Sequence, residues 1–114
     1  MSVENRLYDY LAQMVQGSTD AVTFTEGMSE DDFLADLKTQ RAVIMSLMIV
    51  GEAASRIVSD HADFAETNGS VPWRSIRGMR NRIAHGYFDI DLHVVWRTVV
   101  ELPPLITELS KISN

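Results

Sequence analysis

An all-α fold, an up-down bundle of four to five helices forming a single domain over residues 1–114, is what this sequence predicts. Three observations predict it. Apolar residues recur at helical spacing along most of the chain, capping residues stand where those runs begin, and no segment alternates with period two between hairpin turns. With 114 residues, 46% of them hydrophobic, the chain holds one core but not two.

The first helix is expected from Val3, where Val3, Leu7, Leu11, Met14 and Val15 form one stripe. Gly17, Ser18 and Thr19 weaken it, although Ala21, Val22 and Phe24 could extend the stripe until Glu26 and Gly27 end it. Ser29, followed by Glu30, Asp31 and Asp32, reads as an N-cap with an acidic first turn that complements the helix dipole. A long proline-free helix should then run from Asp31 to about Val58, with Leu34, Leu37, Ile44, Leu47, Met48 and Ile57 on its apolar face. Apolar residues nearly encircle 42–50, so this is the expected central helix. Gly51 in its interior costs about 1 kcal/mol against alanine, and the usual reason is close approach of another helix, which in so small a chain could belong to a second subunit.

Residues 59–71 read as the longest irregular segment. Val71-Pro72 opens a third helix, proline suiting a first turn, and it runs to about His85, where Gly86 is expected as a left-handed C-cap. Asp91 is the expected N-cap of the fourth. Pro103 and Pro104 must break it near Leu102 before Leu105, Ile106, Leu109 and Ile112 resume the pattern.

Composition removes several classes of function. There is no cysteine, so disulfides, thiolate metal sites and a cysteine nucleophile are out of reach. The N-terminus has no basic segment followed by an apolar one, and the longest apolar run is interrupted by Ser46 and reads as too short to span a bilayer. A cytoplasmic protein without membrane partners is the expectation. His61 and His93 form no ligand set with His85, and neither metal nor cofactor is expected.

The net charge of −6 argues against a broad nucleic-acid surface. Its distribution is uneven, however. No acidic residue lies between Glu66 and Asp89, and that gap holds Arg74, Arg77, Arg80, Arg82 and His85. On the third helix Ile76, Met79 and Ile83 fall within about 60° and form the core stripe, while Arg74, Arg77, Asn81 and His85 share an arc of about 80°, with Arg80 bordering it. Such a cluster suits a focused anion site. It also suits a solvated face, with His85 capping the helix end and the arginines paired to Asp89 and Asp91.

At this point the sequence resembles a known family. The segment Arg80-Asn81-Arg82-Ile83-Ala84-His85-Gly86-Tyr87 matches Arg-x4-His-x-Tyr, the motif of HEPN-domain toxins of the HepT type. Val71 to Met79 upstream, Tyr87 to Asp91 and Val95-Trp96 downstream, and Gly51-Glu52-Ala53 in the central helix are similar to the same family. The resemblance covers about Asp31 to Leu109.

It implies a metal-independent endoribonuclease, the toxin of a toxin–antitoxin pair, whose motifs face each other across a homodimer groove. Arg80, Asn81 and His85 would be catalytic, Arg74 and Arg77 would bind RNA, and Glu52 would be a groove carboxylate or merely a solvated or buried partner. Tyr87 would accept AMP from a cognate minimal nucleotidyltransferase that acts as antitoxin. The chemistry agrees with the side chains: imidazole exchanges protons near neutral pH, and guanidinium offers planar, permanently charged donors to phosphate. One motif histidine per subunit is too few for a two-group mechanism, and two subunits supply two. A non-catalytic partner- or substrate-binding HEPN module and a purely structural helical dimer remain as alternatives.

Overall fold

The computed structural model describes residues 3–86 and 89–113. Among them the regular structure is entirely helical: α1 Val3–Phe24, α2 Glu30–Leu34, α3 Leu37–Asp60, α4 Ala62–Thr67, α5 Trp73–Gly86, α6 Leu92–Val100 and α7 Leu102–Ile112. Five longer helices build the bundle and two short ones join them.

α1 is continuous through the glycine and polar stretch that was expected to weaken it. Gly17 is where α1 meets α3: a Cβ there would stand 2.8 Å from Val50 Cγ2 and 3.1 Å from the Ser46 carbonyl oxygen. Leu11, Met14 and Ala21 are fully buried on the same side. The helix ends in a turn that Gly27 makes with φ +77°, a conformation glycine adopts without a Cβ clash.

Ser29 caps α2 as expected, accepting from the Asp32 amide at 3.1 Å while Asp32 Oδ2 accepts from the Ser29 amide at 3.0 Å. The single long helix expected from Asp31 to Val58 is instead two. α2 stops at Leu34, and Asp36 starts α3 by accepting from the Thr39 amide at 3.0 Å. Gln40, buried, donates from Nε2 to the carbonyls of both Phe33 and Leu34 at 3.0 Å, satisfying the end of α2. The break turns Phe33 fully into the core and leaves Leu37, expected on the apolar face, 57% exposed.

α3 is the central helix, packed between α1 and α5. Contrary to the sequence expectation, it is long and apolar enough to cross a membrane by length and composition alone. Its buried apolar residues supply the bundle core. Val50, Ala53, Ala54 and Ile57 meet Leu11, Met14, Trp73 and Leu109 in one cluster, and Val43 and Leu47 meet Phe33, Ile83, Val95, Val99 and Leu102 in the other.

The segment expected to be irregular contains α4. Asn68 Nδ2 donates to the Phe64 carbonyl at 2.9 Å at its end, and Ala65 is buried. Trp73 then anchors the start of α5: its ring is buried and its Nε1–H is shared between the carbonyls of Ala65 and Asn68, each at 3.1 Å. Gly86 is not a left-handed cap; it lies within α5 and does not adopt positive φ. Asp91 caps α6 as expected, accepting from the His93 amide at 2.9 Å and the Val94 amide at 3.4 Å. The α6–α7 break falls at Glu101, with proline in the first turn of α7.

Candidate functional site

The site is built on α5 and on the middle of α3 beneath it. α5 lies so close to α3 that a Cβ on Gly51 would collide with Cβ and Cγ of Arg80. The neighbour for which Gly51 makes room is therefore in the same chain, and the second subunit weighed for that role is not needed. Close approach brings the Arg80 guanidinium over α3, where Nη2 meets Glu52 Oε2 at 3.0 Å. Glu52 Oε1 in turn meets Arg56 Nε at 3.3 Å, one turn further along. On the other side Arg80 Nη1 donates to the Asn81 side-chain oxygen at 3.1 Å.

Arg80 is thus held from two directions yet is not spent. Its side chain keeps 30% of its exposure, and each terminal nitrogen has a second N–H beyond the one it uses. Its Nε is buried and has no hydrogen-bond partner among the described residues. Such a guanidinium is an oriented donor pair at the edge of solvent, the arrangement that binds phosphate oxygens well.

The other polar residues of α5 lie where the helical spacing puts them. Arg74, Arg77, Asn81 and His85 are all exposed on the outer face of α5, and Ile83 is buried beneath. Arg80 and His85, five residues apart, differ by about 140° around the helix, so they stand at opposite borders of this face with the other three between them. The pairing of the arginines with Asp89 and Asp91 that a solvated face would allow is not present among the described ion pairs. Asp91 is occupied as a helix cap. Tyr87, the expected site of AMP addition, lies outside the described residues.

Two residues that the sequence reading did not assign to the site come into it here. Arg82 and Asp89 line a cleft of about 530 Å³ with His85, closed beneath by Ile83 and Val95. The spacing of Arg82 to His85, three residues or about 60° apart, was visible. The position of α6 on the far wall was not. The other histidines lie elsewhere: His61 sits between α3 and α4, and His93 Nδ1 is 3.0 Å from Glu30 Oε1.

The fold and site together define a helical-bundle protein with arginine, amide and imidazole side chains on one helix, Arg80 at the border of its exposed face. The family model for HepT-like ribonucleases matches residues 14–112, and the chain belongs to that family. It is 38% identical over 105 residues to a protein of Thermococcus cleftensis named "Probable ribonuclease HepT", covering 91% of this chain and 93% of that one. Two further relatives are provisionally named as RNases. One, from Methanocaldococcus jannaschii, is 37% identical with 93% of this chain and 83% of the relative covered. The other, from Caldanaerobacter subterraneus subsp. tengcongensis, is 33% identical with 90% of each covered. No solved structure matches the chain at a significant level.

Proposed function

We propose that this chain is the toxin of a toxin–antitoxin pair, a cytoplasmic, metal-independent endoribonuclease that acts as a homodimer. The observation that carries this reading is the outer face of α5, where an Arg80 oriented by Glu52 and Asn81 shares a 14-residue helix with an exposed His85. Membership of a ribonuclease family supports the same conclusion.

The 2′-hydroxyl of RNA attacks its own 3′-phosphate. One imidazole takes the 2′-proton, and a second protonates the departing 5′-oxygen, leaving a 2′,3′-cyclic phosphate and a 5′-hydroxyl end. Arg80 stabilises the added negative charge on the phosphorane oxygens, and the Asn81 side-chain oxygen, accepting from Nη1, helps to orient the guanidinium. Arg74 and Arg77 bind flanking phosphates. The two imidazoles are His85 of the two subunits.

The support for pairing is a face of α3. Leu37, Met45 and Ile49 are exposed by 57%, 61% and 42%, and they fall within about 120° on the helix, next to Glu52 and Arg80. Each side chain is already about half buried in the single chain, so covering the rest contributes roughly half of the about 1.5–3 kcal/mol that full burial gives.

The cognate partner is a minimal nucleotidyltransferase that transfers AMP from ATP to the Tyr87 hydroxyl, releasing pyrophosphate. The added phosphodiester carries negative charge close in sequence to His85, where it repels RNA. Expression tests the reading. The chain alone should arrest growth and degrade RNA, and co-expression with the nucleotidyltransferase should relieve both and add AMP mass that Tyr87→Phe abolishes. Growth and RNA unaffected by the chain alone would overturn it.

A further inference from the structure

The cleft beside His85 has no part in the steps above. Its floor is aliphatic, made by Met79 and Ile83 from α5 and by Val94 and Val95 from α6. Ile83 and Val95 are buried, whereas Arg82, His85 and Asp89 at its mouth are exposed. At about 530 Å³ it lies in the ~300–1,000 Å³ range of clefts that hold small organic groups. A flat ring with apolar faces and a polar edge is the group such a cleft suits.

We propose that this cleft is the subsite for the nucleobase adjoining the cleaved phosphate, and that it selects guanine. The placement of the cleft next to the cleaved phosphate rests on the ribonuclease reading, because His85 belongs both to the reactive face of α5 and to the cleft wall. The choice of base follows from the donors and acceptors at the mouth. Asp91 is committed through Oδ1 to the cap of α6. The side chains of Asp89 and Arg82 make no hydrogen bond or ion pair with a described residue, and both line the cleft. An ionised carboxylate only accepts, and a guanidinium only donates.

The Watson–Crick edge of guanine presents two adjacent donors, N1–H and the N2 amino group, beside one acceptor, O6. The donors suit Asp89 and the acceptor suits Arg82. Adenine and cytosine each place a ring-nitrogen acceptor beside a single amino donor, so the lone pair would face the carboxylate. Uracil has one donor between two acceptors. Guanine alone offers a carboxylate two hydrogen bonds at once.

The test is to titrate the intact chain with 3′-GMP, 3′-AMP, 3′-CMP, 3′-UMP, guanosine and inorganic phosphate, following binding by calorimetry. 3′-GMP should bind about tenfold or more tightly than the other nucleotides, the discrimination a bidentate base contact gives, and guanosine should bind where phosphate alone does not compete. Asp89→Asn, at an exposed position, should erase the preference while the melting temperature stays unchanged. Equal binding of the four nucleotides, binding that phosphate alone reproduces, or a preference that survives Asp89→Asn would each overturn the proposal. The readout needs no catalysis. Selective guanine binding by a chain that cuts no RNA would uphold the subsite and refute the ribonuclease reading, and cleavage with equal binding of all four bases would do the reverse.

Discussion

Arg80 lies against Gly51: the missing Cβ of the glycine is filled by the Cβ and Cγ of the arginine, and the next residue along α3, Glu52, closes the contact with a 3.0 Å ion pair. The glycine sets how near the two helices come, and the carboxylate sets where the guanidinium points.

Gly51→Ala should therefore destabilise the protein although alanine is the better helix former. Relieving the clash means moving the Arg80 side chain and the backbone of α5, and overpacking of about 1–3 kcal/mol outweighs a helix gain of about 1 kcal/mol. Gly78→Ala should do the opposite. Nothing lies within 4 Å of a Cβ there, so that variant should gain about 0.5–1 kcal/mol. Urea unfolding of the two variants decides the signs.

Removing the carboxylate should cost activity more than stability. Glu52 is 44% exposed and Arg80 30%, so the screened pair contributes at most about 1 kcal/mol to folding. Glu52→Ala should nevertheless lower kcat about tenfold, because Arg80 loses the group that orients it. Arg80→Lys should lower it by about 10²-fold, since an ammonium has no planar fork. Single-turnover cleavage at saturating enzyme measures both.

The start of α3 should be acid-sensitive. The Thr39 backbone hydrogen bond, more than any other contact, holds the Asp36 carboxyl below its ordinary 3.8, and the Thr39 side chain and Lys38 act in the same direction. A depressed folded value means that the contribution is complete above the unfolded pKa and is lost as pH falls through the folded one, below about pH 4. Asp36→Asn keeps a capping oxygen without the charge, so its melting temperature should fall less steeply than the parent's over that range.

Pairing through α3 is tested by placing charge on its exposed face. The parent should scatter light as a dimer at micromolar concentration, and Met45→Glu with Ile49→Glu should scatter as a monomer that keeps its helical content. Residue 45 is 61% exposed, so the fold itself loses little. A monomeric parent in low salt would contradict the pairing.

How much of this was legible in the sequence depended on the range of each interaction. The caps at Ser29 and Asp91 and the proline-marked start of α7 act over a few residues and could be read directly. The break at Asp36 could not, because Leu34 and Leu37 continue the apolar period and the tie that ends α2 comes from Gln40, six and seven residues on. α4 spans six residues, too few to show a period. Gly17 and Gly51 were visible as anomalies, but the helices they accommodate are known only once the chain is folded. On α5 the helical spacing placed Arg74, Arg77, Asn81 and His85 together and left Arg80 at the border, as found. Helical spacing says nothing of what faces a helix from across a gap, which is why the Glu52 partner of Arg80 stayed one option among several, and why Arg82 and Asp89 were missed.

The most direct test of the ribonuclease account is incubation of the purified chain with RNA in the presence of a chelator, beside its His85→Ala variant. His85 is exposed and its side chain has no hydrogen-bond partner among the described residues, so the variant should fold like the parent. The parent should leave 2′,3′-cyclic phosphate ends on RNA and should not cut DNA, and the variant should be slower by about 10²–10⁴-fold. Cleavage that requires a divalent metal, or that proceeds equally well without His85, would contradict the ribonuclease reading.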